Sequence, residues 1–194
     1  RVFCAVRPPG HHAETGESMG FCLFSNAAIA ALHAQAAHGV QRVAIVDFDV
    51  HHGNGTQAVV AEREGLFYLS TPQYPLFPGP GSRKENRPGH ILNIPMPEGT
   101  GSADYREQFH REAISALIDF DPELMIISAG FDAAVEDPLA GMALTTEDFA
   151  WITDELVAVA NYCCGGHICS VLEGGYDLDA LARGAAAHVA GLMK

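Results

Sequence analysis

Carboxylates and an imidazole alternate in the segment Asp47-Phe-Asp49-Val-His51. In an extended strand, alternate side chains point to one face, with successive same-face Cα atoms about 6.5–7 Å apart. Three such groups on one face repel one another or stay poorly solvated unless a cation neutralises them. Carboxylate oxygen and imidazole nitrogen together suit Zn²⁺. The pattern therefore predicts a metal site at Asp49 and His51.

Polar residues also follow three other apolar runs of the chain: the pair His11-His12, Asp132, and Glu173 with Tyr176. In open parallel α/β sheets, ligands bind beyond the carboxyl ends of the strands, so these residues are candidates for one shared site. Asp132 is a candidate third ligand, and three protein ligands leave one position for water, as in catalytic zinc sites. Singly, each of these residues fits a cap, a turn or a packed position. The hypothesis depends on their combination.

The elements that must position these groups follow from the periodicity of the chain. Six apolar runs are predicted to be strands: Val2–Val6, Val43–Phe48, Leu66–Ser70, Ile91–Ile94, Leu124–Ser128 and Ile168–Leu172. Helices are predicted over Asn26–His38, Ser102–Phe120, Thr145 to about Tyr162, and Asp179–Met193. Ser102 is the expected N-cap of the second helix, and Thr145 with Asp148 an expected capping box. This alternation predicts an α/β fold with a mainly parallel sheet covered by helices on both sides.

The composition excludes several classes of protein. The chain has 194 residues, with 11 Lys and Arg against 24 Asp and Glu, and therefore a formal net charge of −13. Its hydrophobic content of 48% excludes a disordered chain. No run of about 18 apolar residues is present, so no membrane-spanning helix is expected. The acidic excess argues against unaided binding to nucleic acid, which depends mainly on Lys and Arg.

The five cysteines are expected to be reduced thiols of an intracellular protein, because their number is odd and the sequence contains no C-x-x-C pair. The chain starts at Arg1 rather than Met, and Val2–Val6 already has the pattern of a buried strand. We therefore expect residues 1–194 to form a single domain that is truncated at its N-terminus.

The polar motifs together resemble the histone deacetylase superfamily. In the family's order they are Arg7-Pro-Pro-Gly-His11-His12-Ala-Glu, Gly20-Phe21-Cys22, Asp47-Phe-Asp49-Val-His51-His52-Gly-Asn54-Gly-Thr, Phe77-Pro-Gly, Gly130-Phe-Asp132 with Asp137-Pro138, and Glu173-Gly-Gly-Tyr176-Asp177. The residues of these motifs are most similar to those of the class II branch and its bacterial relatives, which include histone deacetylase-like amidohydrolases and acetylpolyamine amidohydrolases. The resemblance covers essentially the whole chain. It implies one deacetylase catalytic domain over residues 1–194, without the segment that precedes the His-His motif in the family.

This resemblance implies a three-layer arginase/deacetylase-type α/β fold and zinc-dependent hydrolysis of an N-acetylated amine, such as an acetyl-lysine side chain, to acetate and free amine. The implied zinc ligands are Asp49, His51 and Asp132. The implied catalytic residues are His11 backed by Asp47, His12 backed by Asn54, and Tyr176 as hydroxyl donor to the substrate carbonyl. Which histidine is the general base stays open at this stage.

The resemblance also implies a narrow tunnel for the aliphatic arm of the substrate. Phe21 and Phe77 would form its walls and Leu139 its rim, with Gly20 and Gly174 also assigned to substrate binding. A structural K⁺ or Na⁺ is implied near the zinc site, held in part by backbone oxygens of Asp47, Asp49, His51, Ser70 and Thr71.

Three alternatives stay open from the sequence. One is a catalytically silent, zinc-bound module that binds acyl-lysine, and another is an acetylpolyamine deacetylase. An arginase-like ureohydrolase is disfavoured, because the Asp49 segment lacks the Asp-x-His-x-Asp spacing of those two-metal enzymes. The expected partners are an acetylated lysine peptide or a small acetylated amine, with no nucleic acid and no membrane, in a cytoplasmic setting. The oligomeric state is left open.

Overall fold

All six strands of the protein lie parallel in one sheet, in the order β1-β6-β5-β2-β3-β4. The computed structural model describes all 194 residues. The strands are β1 Val2–Cys4, β2 Val43–Asp47, β3 Leu66–Ser70, β4 Ile91–Asn93, β5 Leu124–Ala129 and β6 Ile168–Leu172. The predicted parallel sheet is confirmed. Its central strands β2, β3 and β5 are almost completely buried, as expected for a sheet covered on both faces.

Helices cover both faces of this sheet. They are α1 Asn26–His38, α2 Asn54–Ala61, α3 Ser102–Gln108, α4 Ser115–Phe120, α5 Thr146–Cys164 and α6 Leu178–Leu192, with a π-helical segment Phe109–Ile114 joining α3 to α4 and a 3₁₀ turn at Arg83–Glu85. The face of β2 that carries Val43 and Ile45 packs with α1 and α2. The opposite face, with Ala44 and Val46, belongs to a larger core that includes residues of α3 to α6. The period-2 alternation of strand side chains thus produces three layers.

Several element boundaries follow from capping groups that the sequence displays. Helix α1 ends at Gly39, which has a φ of 70°, the left-handed conformation that glycine adopts without strain. The capping box of Thr145 and Asp148 opens α5 as predicted. The prediction of Ser102 as an N-cap is wrong: the cap residue is Gly101, and the Ser102 hydroxyl instead donates to Asp148 at 2.7 Å. A carboxylate on α5 therefore engages the side chain that was expected to cap α3.

Three predicted strands are shorter than expected. Strand β1 ends at Cys4 rather than Val6, β2 at Asp47 rather than Phe48, and β4 at Asn93 rather than Ile94. Helix α2 was not predicted at all, because its short sequence directly follows the polar segment around His51.

None of the helices is long and apolar enough to cross a lipid bilayer. All five cysteines are free thiols, as expected from their odd number. The assignment of residues 1–194 to a single catalytic domain stays a prediction.

One buried histidine of α6, His188, forms hydrogen bonds with side chains of α5 and β6. His188 Nδ1 lies 2.7 Å from Thr153 Oγ1, and its Nε2 lies 2.8 Å from Ser170 Oγ. The Thr153 hydroxyl already donates to a backbone carbonyl, so His188 Nδ1–H donates to it and the Ser170 hydroxyl donates to Nε2. The neutral ring is thereby fully satisfied, and burial lowers the pKa of His188 to about 4.

We expect His188 to make the fold sensitive to acid. Between pH 6.5 and 4 the unfolded chain binds a proton at this residue that the folded chain does not, so stability is lost as the pH falls. From pH 7 to 5 the loss amounts to about 2 kcal/mol. A His188→Gln variant should be less stable at pH 7 yet lose less stability over this interval, measured by urea unfolding at both pH values. His38→Gln, at the exposed end of α1, is the control and should follow the wild type; equal pH slopes for His188→Gln and wild type would contradict this account.

Candidate functional site

Three buried side chains converge just beyond the carboxyl ends of β2 and β5. Asp49 and His51 follow β2, Asp132 follows β5, and each offers a ligand atom within 4.8 Å of the other two. His51 Nδ1 lies 3.2 Å from Asp49 Oδ1 and 3.1 Å from Asp132 Oδ2. Regular strand pairing ends at Asp47, and the chain bends over residues 49–51. Val46, Phe48 and Val50 nevertheless all belong to one core cluster, as the predicted alternation of side chains requires, and Asp49 and His51 meet on the other side of the segment.

Backbone amides orient the two carboxylates of this group. Gly174 N–H donates to Asp49 Oδ2 at 2.8 Å, and Val50 N–H donates to Asp132 Oδ1 at 3.0 Å. A side chain at Gly174 would collide with both carboxylates, so only glycine fits there. Gly174, assigned to substrate binding from the sequence, therefore lies against the carboxylates rather than on the wall of the adjoining cavity.

The electrostatics of this group suit a bound cation. Burial lowers the pKa of His51, but its hydrogen bonds to Asp132 and Asp49 outweigh burial and raise it to about 10. Burial and the neighbouring Asp49 raise the pKa of Asp132 to about 6. Two buried carboxylates thus compete for one positive charge between them. Two carboxylate oxygens and one imidazole nitrogen form a donor set that fits a divalent transition metal such as Zn²⁺, which supplies that charge and leaves the imidazole neutral.

His11 lies beside this group and is held from behind by Asp47. Its Nδ1 is 3.0 Å from Asp47 Oδ2, and its Nε2 is 3.8 Å from Asp49 Oδ1. Tyr68, a residue that the sequence did not single out because it looks like a core aromatic of β3, also donates to Asp47 Oδ2 at 2.9 Å. Burial alone would lower the pKa of His11, but the Asp49 and Asp47 carboxylates raise it well above its usual value. These carboxylates therefore favour the protonated, positively charged form of His11.

His12 is held differently, by an amide. Its Nδ1 lies 2.9 Å from Asn54 Oδ1, as the sequence predicted for this pair. Burial and the positive charge on His11 lower the pKa of His12 to about 3. The ring centroids of His11 and His12 are only 4.0 Å apart, so one charged and one neutral imidazole share the site.

The metal-ligand group opens onto a cavity of about 420 Å³. The cavity is lined by His12, Gly20, Phe21, His51, Phe77, Leu139 and Tyr176. The three apolar or aromatic residues predicted for the tunnel, Phe21, Phe77 and Leu139, thus lie together with the predicted hydroxyl donor Tyr176. Phe21 and Phe77 are 69% and 49% exposed, which leaves their rings free to contact a ligand. The close approach of Gly20 to the His12 ring excludes any larger residue there.

Tyr176 reaches the cavity from the turn after β6, and its backbone is clamped. Asp137, a buried residue, accepts from the backbone amide of Tyr176 at 2.7 Å and from that of Leu139 at 3.0 Å. Arg7 lies over the Tyr176 ring, 5.6 Å from its centroid, and donates to the carbonyl of Gly175 at 2.8 Å. Burial and the nearby carboxylates of Asp49 and Asp132 raise the pKa of Tyr176, so its hydroxyl stays protonated and can donate.

Glu173 is a supporting residue whose role the sequence did not reveal, although its motif was noticed. Its Oε2 accepts from the backbone amides of Gly10 at 2.6 Å and His11 at 3.1 Å, and its Oε1 accepts from Ser128 Oγ at 3.1 Å. Glu173 is completely buried, and burial raises its pKa to about 7. It ties the loop that carries the histidine pair to strands β5 and β6.

The fold and the site together define a class: a parallel α/β protein with a buried metal-ligand group at the base of a largely apolar cavity. The family model of the histone deacetylase domain matches residues 1–192. The chain is 43% identical over 188 residues to histone deacetylase 14, chloroplastic, of Arabidopsis thaliana, and 41% identical over 188 residues to polyamine deacetylase HDAC10 of Homo sapiens. It superposes on the crystal structure of the HDA15 HD domain with a TM-score of 0.91 and 41% identity. The chain belongs to the histone deacetylase family, and its fold is the arginase/deacetylase-type α/β fold.

The matches cover most of this chain but only part of its relatives. They include 95% of the chain and 44% of the Arabidopsis protein, 92% of the chain and 28% of the human protein, and 98% of the chain and 55% of the HDA15 domain. The chain therefore spans less than half the length of these two curated relatives.

Loss of the Glu173 carboxylate should destabilise the site. Both carboxylate oxygens of Glu173 accept hydrogen bonds, whereas the Glu173→Gln side chain has only one acceptor oxygen. Its NH₂ group therefore faces another donor, and the unsatisfied buried donor lowers the free energy of unfolding by about 1–3 kcal/mol. Urea unfolding at pH 8 measures this directly. Glu64→Gln, an exposed substitution of the same chemistry, should stay within about 0.5 kcal/mol of wild type. A Glu173→Gln variant as stable as Glu64→Gln would show that Glu173 does not hold the histidine loop.

Proposed function

We propose that this protein hydrolyses N-acetyl amides, such as acetyl-lysine side chains, to acetate and free amine in a zinc-dependent reaction. The observation that carries the proposal is the buried Asp49–His51–Asp132 group at the base of a cavity that His12 and Tyr176 also line. A metal-ligand group, a neutral imidazole and a phenol at one cavity are what amide hydrolysis requires. The deacetylase names of the relatives support the same reaction.

The zinc ion would be held by Asp49, His51 and Asp132. When bound there, it supplies Lewis-acid chemistry, by polarising the amide carbonyl and lowering the pKa of the attacking water from 15.7 towards about 7. The three residues leave a coordination position for water or substrate, as catalytic zinc sites do.

His12 is the better candidate for general base, which the sequence left open. It is neutral and its Nδ1 faces Asn54, so Nε2 has a free lone pair. His12 Nε2 takes the proton of the attacking water and then gives it to the nitrogen of the leaving amine as the carbon–nitrogen bond breaks. His11, positively charged and held by Asp47, stabilises the negative charge that develops nearby.

Tyr176 donates its hydroxyl proton in a hydrogen bond to the oxygen that becomes negative in the tetrahedral intermediate. Asp137 and Arg7 fix the turn that presents it. This hydroxyl is the feature that separates a hydrolase from a module that only binds an acylated amine, so the catalytically silent alternative is disfavoured.

The cavity walls favour an aliphatic substrate arm. Phe21, Phe77 and Leu139 present apolar surface, and no acidic residue is among the seven that line the cavity. An acidic rim residue would be expected for a second ammonium group of a polyamine, so we favour acetyl-lysine over acetylpolyamines. The net charge of −13 attracts cationic peptides in either case. We further propose a cytoplasmic location, as expected from the sequence.

A second, structural cation is part of the proposal. K⁺ or Na⁺ would bind through oxygens of Asp47, Asp49, His51, Ser70 and Thr71. Its support is the hydroxyl of Ser70, which is buried and has no hydrogen-bond partner within the protein. A monovalent cation accepts such an oxygen as a ligand.

A fluorogenic acetyl-lysine peptide tests the proposed reaction. We expect turnover by the purified protein, loss of turnover with a chelator and recovery with Zn²⁺. Tyr176→Phe should lower kcat by about 10²–10³-fold, because one donor to the oxyanion is removed. Its zinc content should stay stoichiometric, because Tyr176 is not among the ligands.

Tyr162→Phe is the matched control, since Tyr162 lies on the exposed surface of α5. It should retain wild-type kcat and zinc content. Bound zinc without turnover in the wild-type protein would favour the silent binding module, and turnover unaffected by Tyr176→Phe would contradict the proposed role of the hydroxyl.

A further inference from the structure

Behind His12 the hydrogen-bond network continues beyond Asn54 to a third residue. Asn54 Nδ2 donates to Glu14 Oε1 at 2.6 Å and makes a longer contact of 3.3 Å with the backbone carbonyl of His12. The path therefore runs from the His12 ring through a side-chain amide to the carboxylate of Glu14. Glu14 is exposed and lies on the wall of a separate polar cavity of about 380 Å³, away from the substrate cavity.

The two histidines of the site are backed by different chemistry, and the difference matters. His11 faces the carboxylate of Asp47, which can only accept hydrogen bonds when ionised. His12 faces an amide, which has an acceptor at one end and a donor at the other. If the amide of Asn54 rotated by half a turn, its NH₂ group would face His12 Nδ1. The ring would then carry its proton on Nε2, the atom that has to act as base.

The surroundings of Asn54 decide between these two orientations. Glu14 Oε1 and the His12 carbonyl are both acceptors, so the NH₂ group must point at them and Oδ1 must point at His12. The contact with Glu14 is the shorter of the two and is charge-assisted, which makes it the stronger. Met19 Sδ, at 3.6 Å, is only a weak third acceptor.

We propose that Glu14 is a positioning residue that sets the tautomer of His12 by fixing the side-chain amide of Asn54. The proposal rests on the proposed function, because it assigns His12 Nε2 as the base. Glu14 does not line the substrate cavity, and its only side-chain hydrogen bond is the one from Asn54. Its carboxylate keeps Oδ1 of Asn54 on the ring, the ring keeps its proton on Nδ1, and Nε2 keeps its lone pair towards the cavity.

The first test compares two glutamates of the same loop. Glu14 and Glu17 pair through their backbones, both are exposed, and the side chain of Glu17 makes no hydrogen bond in the structure. Glu14→Ala and Glu17→Ala therefore remove the same group from the same loop, and alanine leaves no side-chain oxygen that could accept from Asn54 Nδ2. We expect Glu14→Ala to lower kcat by about ten- to a hundredfold with little change in KM, and Glu17→Ala to match the wild type. Glu14→Asp, which keeps a carboxylate, should recover part of the loss.

A spectroscopic test needs no turnover. In protein labelled with ¹⁵N-histidine, the ring nitrogens of His12, identified by their loss in His12→Gln, should show protonated Nδ1 and unprotonated Nε2. In Glu14→Ala the two tautomers should mix, whereas Glu17→Ala should keep the wild-type pattern. If the wild-type protein lacks deacetylase activity, the proposed function fails while this measurement still tests the tautomer assignment.

Replacing the amide gives a third test. In Asn54→Asp the residue behind His12 has only acceptors, so the orientation lock is no longer needed. Glu14→Ala should then be neutral or beneficial in the Asn54→Asp background, because it also removes a carboxylate that would face Asp at 2.6 Å in the present geometry. An unchanged His12 tautomer in Glu14→Ala, or the same loss of kcat in both backgrounds, would overturn the proposal.

Discussion

The burial of four carboxylates at the carboxyl-terminal ends of the parallel strands is the constraint on which the rest of this structure depends. Asp47, Asp49, Asp132 and Glu173 are all completely buried where strands β2, β5 and β6 end. Ionised carboxylates at such depth are costly unless each is matched by donors or positive charge. Backbone amides and hydroxyls satisfy Glu173, whereas Asp49 and Asp132 share one imidazole and have room for a cation. A cation bound by Asp49, His51 and Asp132, as proposed, would neutralise the charge that these buried carboxylates create.

The pKa values of His11 and His12 are shifted in opposite directions by their surroundings. His11 lies next to the carboxylates and gains a proton from their field, while His12 lies one residue farther on, beside an amide and beside the charge of His11. Two adjacent residues of one type therefore have pKa values displaced in opposite directions. Such a separation is typical of sites in which one group supplies charge and the other transfers protons. The apolar rings of Phe21 and Phe77 line the cavity onto which His12 opens.

Much of this could be predicted from the sequence, and the errors have identifiable causes. Strands β3 and β6 and helix α1 were predicted to the residue, because apolar runs and the terminal Gly39 mark their limits. The three residues of the candidate metal group were expected together and do converge, although regular strand pairing stops at Asp47 and the chain bends before His51. Ser102 failed as a cap because Asp148, distant in the sequence, binds it. Tyr68 was not singled out, and Glu14 appeared only as the last residue of the motif around His11, because their hydrogen-bond partners lie 21 and 40 residues away.

The central claim is that Asp49, His51 and Asp132 together bind one zinc ion, and diffraction from crystals of the zinc-loaded protein tests it most directly. Anomalous difference maps recorded on either side of the zinc absorption edge should show a peak within bonding distance, about 2.0–2.2 Å, of a carboxylate oxygen of each aspartate and a nitrogen of His51. The His51 proton that now lies between the two carboxylates should then be displaced. A zinc peak bound elsewhere, or a well-ordered His51 still hydrogen-bonded to both aspartates at saturating zinc, would contradict the account.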